Sequence, residues 1–347
     1  MLSFENDYNR GAHPEILRRF LETNMDMEVG YGNDSFCASA REKIKAACSC
    51  PDADVFFLSG GTQTNAIVID AYLAKYEGVV SAQTGHINVH ESGAVEFTGH
   101  KILTVPEHDG KIIPSDLTAL LEGFWKDADH EHMVFPGLVY ISHPTERGTL
   151  YSKDELEAIS EVCRKYEIPL FMDGARMGYG LMSYETDLTL ADIANYCDAF
   201  YIGGTKNGAL FGEAVVIVND ALKPEFRYAI KQNGGMLAKG RLLGIQFKTL
   251  FTDDLFFRAA EHANACAMKL KRGFEKAGVK FFVDSVTNQQ FPIFTEGEIA
   301  ELAKVCLFER NEQVSETECA IRFCTSWATK DESIDEIVSI VHSMRTC

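Results

Sequence analysis

Between residues 54 and 218 the chain alternates strand-like apolar runs with helical patterns, and the runs end in residues that carry chemistry. One run, residues 168–172, delivers Asp173-Gly-Ala-Arg176, and the next, residues 199–203, delivers Gly204-Thr205-Lys206. A third, residues 54–58, gives way to Ser59-Gly60-Gly61-Thr62 where a helical pattern starts. Strands alternating with helices imply a mainly parallel sheet with right-handed crossovers. Ligands of such sheets bind outside the carboxyl ends of the strands. The loaded ends are therefore expected to meet at one edge.

A carboxylate and a lysine meeting there are what pyridoxal phosphate chemistry requires. The amine holds the aldehyde as a Schiff base, and the acid pairs with the protonated pyridine nitrogen. The competing reading of Asp173 and Lys206 is a buried salt bridge, because a buried ammonium needs a partner or shifts its pKa strongly. Gly60 and Gly61 let the backbone approach a ligand closely, and free N–H groups at a helix start favour a phosphate. Their spacing is neither that of a Walker loop nor that of a dinucleotide fingerprint.

His86 and His90 have the spacing of two metal ligands on a helix, but no third ligand accompanies them. The better reading stacks the His86 ring on the pyridine, with Glu91 as a polar neighbour and His90 as a structural group. The acidic loop 127–132 reads as a solvated turn, and no metal is expected. Arg322 is the single cation of an apolar strand, either an edge charge or an anion clamp.

A net charge of −18, spread along the chain, excludes a nucleic-acid partner and reads as a soluble surface. The amino terminus carries acids where a signal peptide needs bases, and no run is long enough to span a membrane. Ten cysteines without a repeating framework point to reduced thiols in the cytoplasm. At 347 residues the chain exceeds one typical core. The pattern divides into an arm (1–30) packing near the site, a large cofactor-binding domain (31–250) and a small α+β domain (251–347). Helices are expected over residues 34–48, 115–126 (capped by Ser115), 152–166 and 298–308, with small-domain strands at 281–283, 290–294 and 320–324.

Ser59-Gly60-Gly61-Thr62, His86, Asp173-Gly-Ala-Arg176, Gly204-Thr205-Lys206 and Ile321-Arg322, in that order, resemble the fold-type-I pyridoxal phosphate enzymes. More closely, the set resembles the threonine aldolase and β-eliminating lyase family, and it spans essentially the whole chain. The resemblance implies an α/β fold, a mainly parallel central sheet with helices on both faces plus a small α+β C-terminal domain. It implies a phosphate cup from Gly60, Gly61, Thr62 and Thr205, ring stacking by His86, a pyridine partner in Asp173 and a Schiff base at Lys206. Substrate carboxylate capture falls to Arg176 and Arg322, with Asn6 standing where many members carry serine.

The activity implied is retro-aldol cleavage of threonine or allo-threonine to glycine and an aldehyde. A β-eliminating lyase, an aminotransferase or a non-catalytic cofactor-binding protein share the same lysine and cup. Many members carry a histidine in the turn that here reads Ser142-His143-Pro144-Thr145-Glu146, which displaces it and leaves the β-hydroxyl base open among His86, Thr145, Glu146 and water. The family also implies a homodimer or homotetramer with sites at the subunit interface. The Lys239 and Arg241 segment resembles the basic stretch that reaches a neighbouring subunit's phosphate.

Overall fold

Seven strands form the central sheet in the computed structural model, which describes residues 1–346. They are β1 (Asp54–Leu58), β2 (Glu77–Ala82), β3 (Ile102–Val105), β4 (Phe135–Ser142), β5 (Leu170–Asp173), β6 (Ala199–Gly203) and β7 (Glu213–Ile217). Their spatial order is β1-β7-β6-β5-β4-β2-β3. The run from β6 to β3 is parallel. Only β7 runs against its neighbours, pairing antiparallel with both β1 and β6.

Side-chain alternation sorts the strands into two apolar faces. Val139, Ile141, Leu170, Met172, Phe200 and Ile202 pack into one core, whereas Leu138, Tyr140, Phe171, Tyr201 and Val215 pack into the other. A sheet covered on both faces reads as continuous apolar runs, which is why β4, β5 and β6 are legible without a polar alternation. Helix Ser35–Ala47 starts at Asp34, whose carboxylate accepts the Cys37 N–H, and helix Lys153–Lys165 opens with a capping box from Ser152 and Glu155.

The helix expected to be capped by Ser115 begins instead at Pro114, with Ile113 at the cap position and no side-chain cap bond. Proline at the first helical position supplies its fixed φ there.

Beyond the 22-residue helix Leu255–Lys276, strands Ile293–Thr295, Glu318–Cys324 and Glu309–Gln313 form an antiparallel sheet in that spatial order, with Gln289–Gln290 pairing the end of Glu318–Cys324. Phe4, Leu270, Phe274, Phe294 and Phe323 fill the core beneath it. The helix expected over 298–308 ends at Leu302, and Cys306–Leu307 pairs in parallel with Leu2–Ser3. Residues 281–283 make only an isolated bridge, Phe281 to Pro292. No helix among the described residues is long and apolar enough to cross a membrane.

Candidate active site

Strand direction brings the loaded ends together. Because β1 and β6 are both antiparallel to β7, their carboxyl ends reach the same edge, beside those of β5 and β4. β7 runs the other way, so its first residue, Glu213, lands on that edge opposite both Leu58 and Gly203. A cavity of about 250 Å³ opens there. Gly60, Gly61, Thr62, His86, Asp173, Arg176, Thr205 and Lys206 line it, as do Tyr8, Glu91, Glu146, Tyr201 and Glu213. Asn6 and Arg322 are not among its lining residues.

Asp173 is buried and held from four sides. Tyr201 Oη and the Ala175 N–H donate to Oδ1 at 2.5 and 2.9 Å, and Tyr140 Oη and Asn65 Nδ2 donate to Oδ2 at 2.7 and 3.0 Å. Burial acts to raise the Asp173 pKa, but nearby His86 and these donors outweigh it and leave the carboxyl below its ordinary value. Burial and the Asp173 charge push both tyrosines well above theirs, so they remain protonated donors. Sheet parity explains the cluster, because Tyr140, Phe171 and Tyr201 share one face and Asp173 lies two residues beyond Phe171.

No ion pair joins Asp173 to Lys206 among the described residues, and Lys206 Nζ makes no hydrogen bond there. The buried salt bridge weighed from the sequence is therefore not formed. The Lys206 carbonyl accepts the Tyr179 hydroxyl at 2.5 Å, and the Asn207 side chain donates to the Phe256 carbonyl at 2.7 Å, so the backbone around the amine is pinned. Burial, then Arg176, lowers the lysine pKa. A lowered pKa increases the share of free amine, the nucleophilic form.

The donor set fits pyridoxal phosphate. Helix Gly61–Tyr72 is 12 residues long and starts at Gly60 without a side-chain cap, so its first N–H groups remain available beside the cavity. Lys206 would supply the amine, Asp173 an ionised partner for a pyridinium nitrogen, and His86 a ring on the cavity wall. Glu213, an acid of the same wall, is bonded to Thr205 of the expected phosphate cup. Its carboxyl accepts Thr205 Oγ1 at 2.8 Å and the Gly204 N–H at 3.1 Å, and burial pushes its pKa up to about 8. In the neutral form it meets an anion without repulsion.

His86 is oriented by Glu91, whose Oε1 lies 2.7 Å from Nδ1 and also accepts Asn65 Nδ2 at 2.8 Å. One amide therefore joins the Asp173 and Glu91 carboxylates. His90 is exposed, its ring 5.7 Å from that of His86. In the turn after β4, Glu146 Oε1 accepts Ser142 Oγ at 2.6 Å and the His86 N–H at 3.1 Å. Burial, with Asp173 adding to it, raises the Glu146 pKa against the Ser142 bond and His86. His143 lies fully buried off the cavity wall with neither ring nitrogen hydrogen-bonded, and burial pushes its pKa down to about 4.

Both candidate carboxylate-binding arginines already carry carboxylate partners. Arg176 grips buried Asp7 through Nε at 2.7 Å and Nη2 at 3.0 Å, and Asn288 donates to the same carboxylate at 2.9 Å. Arg322 pairs with Glu309 on the neighbouring strand and reaches toward the Glu5 carbonyl. Asn6 accepts the Tyr8 N–H at 3.0 Å in a local turn. Arg241 donates to the carbonyls of Thr23, Asn24 and Asp26 of its own chain, and Lys239 is exposed.

Sequence reasoning passed over Asp7, Asn65, Tyr140, Tyr201 and Glu213. The tyrosines carried a signal, since a hydroxyl inside a doubly covered strand needs a partner. Glu213 carried one too, as an acid opening an apolar strand. Asp7 carried none, for its partner stands 169 residues away.

Fold and site together define a chain of the fold-type-I pyridoxal phosphate-dependent transferase class. The chain belongs to the β-eliminating lyase family, whose model matches residues 7–296. A low specificity L-threonine aldolase of Pseudomonas aeruginosa is 33% identical over 269 residues, covering 77% of this chain and 76% of the relative. Another, from Pseudomonas sp., is 29% identical and covers 98% of this chain and 97% of the relative. Among solved structures, the threonine aldolase of Leishmania major superposes with a TM-score of 0.97 at 47% identity, covering 99% of this chain and all of that one. An aromatic aminotransferase of Pyrococcus horikoshii, at 14% identity and a TM-score of 0.69, shares the fold.

Proposed function

We propose that the protein is a pyridoxal phosphate-dependent aldolase that cleaves threonine or allo-threonine to glycine and an aldehyde. The observation that carries this reading is the convergence of Lys206, Asp173, His86 and the uncapped start of helix Gly61–Tyr72 on one cavity. The names of the relatives support the substrate class. When bound, the cofactor supplies an electron sink for the pair released on breaking the Cα–Cβ bond.

The chain's own residues do the rest. Gly60, Gly61, Thr62 and Thr205 would hold the phosphate, His86 would stack on the ring, and Asp173, held ionised, would keep the pyridine nitrogen protonated. Lys206 would supply the amine that holds the cofactor. Arg176, on the cavity wall, takes the substrate carboxylate and fixes which Cα bond stands ready to break, and Arg322 and Asn6, which lie off that wall, join it when the small domain and the arm close on the substrate. Asp7 fixes the Arg176 guanidinium through Nε and Nη2, which leaves Nη1 for the substrate carboxylate, and Arg322 has to exchange Glu309 for it.

A homodimer or homotetramer with sites at the subunit interface belongs to the same reading. It is supported by Leu21, Met25, Met27 and Val29, exposed at 81%, 87%, 98% and 65% in one stretch. A cytoplasmic location is supported by nine free cysteines among the described residues, eight of them buried; Cys347 lies outside them.

The test is purified protein reconstituted with pyridoxal phosphate, examined for visible absorbance and assayed with both threonine diastereomers. Glycine and acetaldehyde are expected. A colourless protein that takes up no cofactor overturns the reading, and a keto acid or ammonia as product replaces it with transamination or β-elimination.

A further inference from the structure

We infer that Glu146 is the group that takes the β-hydroxyl proton of the substrate, an assignment that rests on the aldolase reading above. It is the acid–base group that the turn after β4 presents to the cavity. His143, in the same turn, is buried away from the cavity wall. Thr145 lines the cavity, but its hydroxyl is engaged by Thr149 Oγ1 at 2.7 Å and by the Arg147 N–H. His86 has its Nδ1 committed to Glu91, and a ring laid flat on the cofactor, as proposed above, presents its face and not its Nε2 to the substrate.

Glu146 combines a fixed position with a free oxygen. Both of its hydrogen bonds to other residues fall on Oε1, from Ser142 Oγ and the His86 N–H. Among the described residues no other residue bonds Oε2, which is left for a ligand in the cavity that Glu146 lines. A base fixed through one oxygen and open at the other satisfies the geometric demand on a general base.

The groups facing it are Asp173, Tyr140 and Tyr151, which disfavour its ionised form or are disfavoured by it, and His86 and Ser142, which favour that form. Burial adds to the first set. A carboxyl balanced in this way accepts a proton more readily than an ordinary surface glutamate.

The step balances. The hydroxyl proton passes to Glu146 Oε2, and the O–H pair becomes the second C–O bond of the departing aldehyde. The Cα–Cβ bond breaks and its pair stays with the Cα fragment. That fragment takes up one proton in place of the one Glu146 received, giving glycine with no net proton released.

Glu146→Gln keeps Oε1 as an acceptor for Ser142 and His86 and removes only the capacity to take a proton. In the cofactor-loaded enzyme, threonine cleavage is expected to fall by about 10²–10⁴-fold. Exchange of the glycine α-proton for deuterium, which involves no β-hydroxyl, is expected to fall far less. Glu146→Asp should restore part of the cleavage.

A readout without turnover accompanies these. Infrared difference spectra across pH, taken on substrate-free holoenzyme carrying Glu213→Gln to remove the other titrating carboxyl of the wall, should show a titrating buried carboxyl that is missing when Glu146→Gln is added. Equal loss of cleavage and glycine exchange, or a titrating band unchanged by the substitution, overturns the assignment. A wild type that cleaves beside a Glu146→Gln enzyme that cleaves equally fast overturns it alone. A wild type that produces no glycine from either diastereomer overturns the aldolase reading together with it.

Discussion

Asp173 and Glu146 are two carboxyl groups on the wall of one cavity, at the ends of adjacent strands, and their surroundings push them in opposite directions. Asp173 receives four hydrogen bonds, and its pKa falls despite burial. Glu146 receives two from other residues, both on one oxygen, and its pKa rises. Burial is the largest influence on both, so the outcome is decided by His86 and four donors at Asp173, against two donors opposed by the Asp173 charge at Glu146. One group is fixed as a permanent anion, and the other is left able to exchange a proton. A pair of acids driven apart by their environments is the pattern by which acid–base roles are divided at neutral pH.

The largest effect is expected from removing the permanent anion. Asp173→Asn keeps the shape and removes the charge; its one oxygen still accepts from one side, and its amide nitrogen replaces the acceptor on the other. Turnover should fall by on the order of 10³-fold, the scale of losing one preorganised electrostatic stabiliser. Steady-state kinetics with saturating cofactor measures it. Full activity would remove the electron-sink role.

Stripping donors from Asp173 should make it behave more like Glu146. Tyr201→Phe removes the 2.5 Å bond to Oδ1, and Tyr140→Phe removes the 2.7 Å bond to Oδ2. Each deletion costs the ionised form about 1.5–3 kcal/mol, the range for a hydrogen bond to a charged group. The Asp173 pKa then rises, and the pH at which cofactor absorbance changes moves upward in each variant. Tyr201→Phe should have the larger effect, because its bond is shorter. Unchanged spectra across pH would mean that Ala175 and Asn65 suffice.

Glu213 extends the comparison to a third carboxyl on the same wall. Its pKa is raised from 4.5 to about 8 by burial, against the Thr205 bond and Lys206. The folded state binds this proton more tightly than the unfolded one. Its contribution to stability is therefore complete below pH 4.5 and is lost as pH rises through about 8. Lys206, with its pKa lowered from 10.5, acts in the opposite sense at higher pH. The thermal midpoint of the wild type should drop by a few degrees across this window relative to Glu213→Gln. Parallel curves would mean that the Glu213 proton does not depend on folding.

The strands and their loaded ends were readable because a sheet covered on both faces needs unbroken apolar runs. Asp173, Lys206 and the Gly60-Gly61 pair each interrupt such a run. Register was not readable. The sequence offered no means of seeing that antiparallel β7 would set Glu213 opposite Gly203 and Leu58, or that Asp7 would cross to Arg176. Strand Glu309–Gln313 escaped notice because all five of its residues are exposed and polar, and it carries the partner of Arg322. What was missed is mostly the second member of a pair whose first member was found, because pairing is a property of the folded chain.

The smallest expected effect sharpens the contrast most. Ser142→Ala removes the hydroxyl that donates to Glu146 Oε1 at 2.6 Å and leaves the His86 N–H as its remaining donor. That hydroxyl stabilises the ionised form, so without it the Glu146 pKa climbs further from its ordinary value. A base must be deprotonated to act, so the acid limb of the cleavage profile should move to higher pH by about one unit, equivalent to about 1.4 kcal/mol. The rate on the alkaline side of that limb should stay near wild type, because Oε2 remains in place. An acid limb that does not move would show that the donor count around Glu146 does not set its proton affinity, and the contrast with Asp173 would then rest on the Asp173 charge and burial alone.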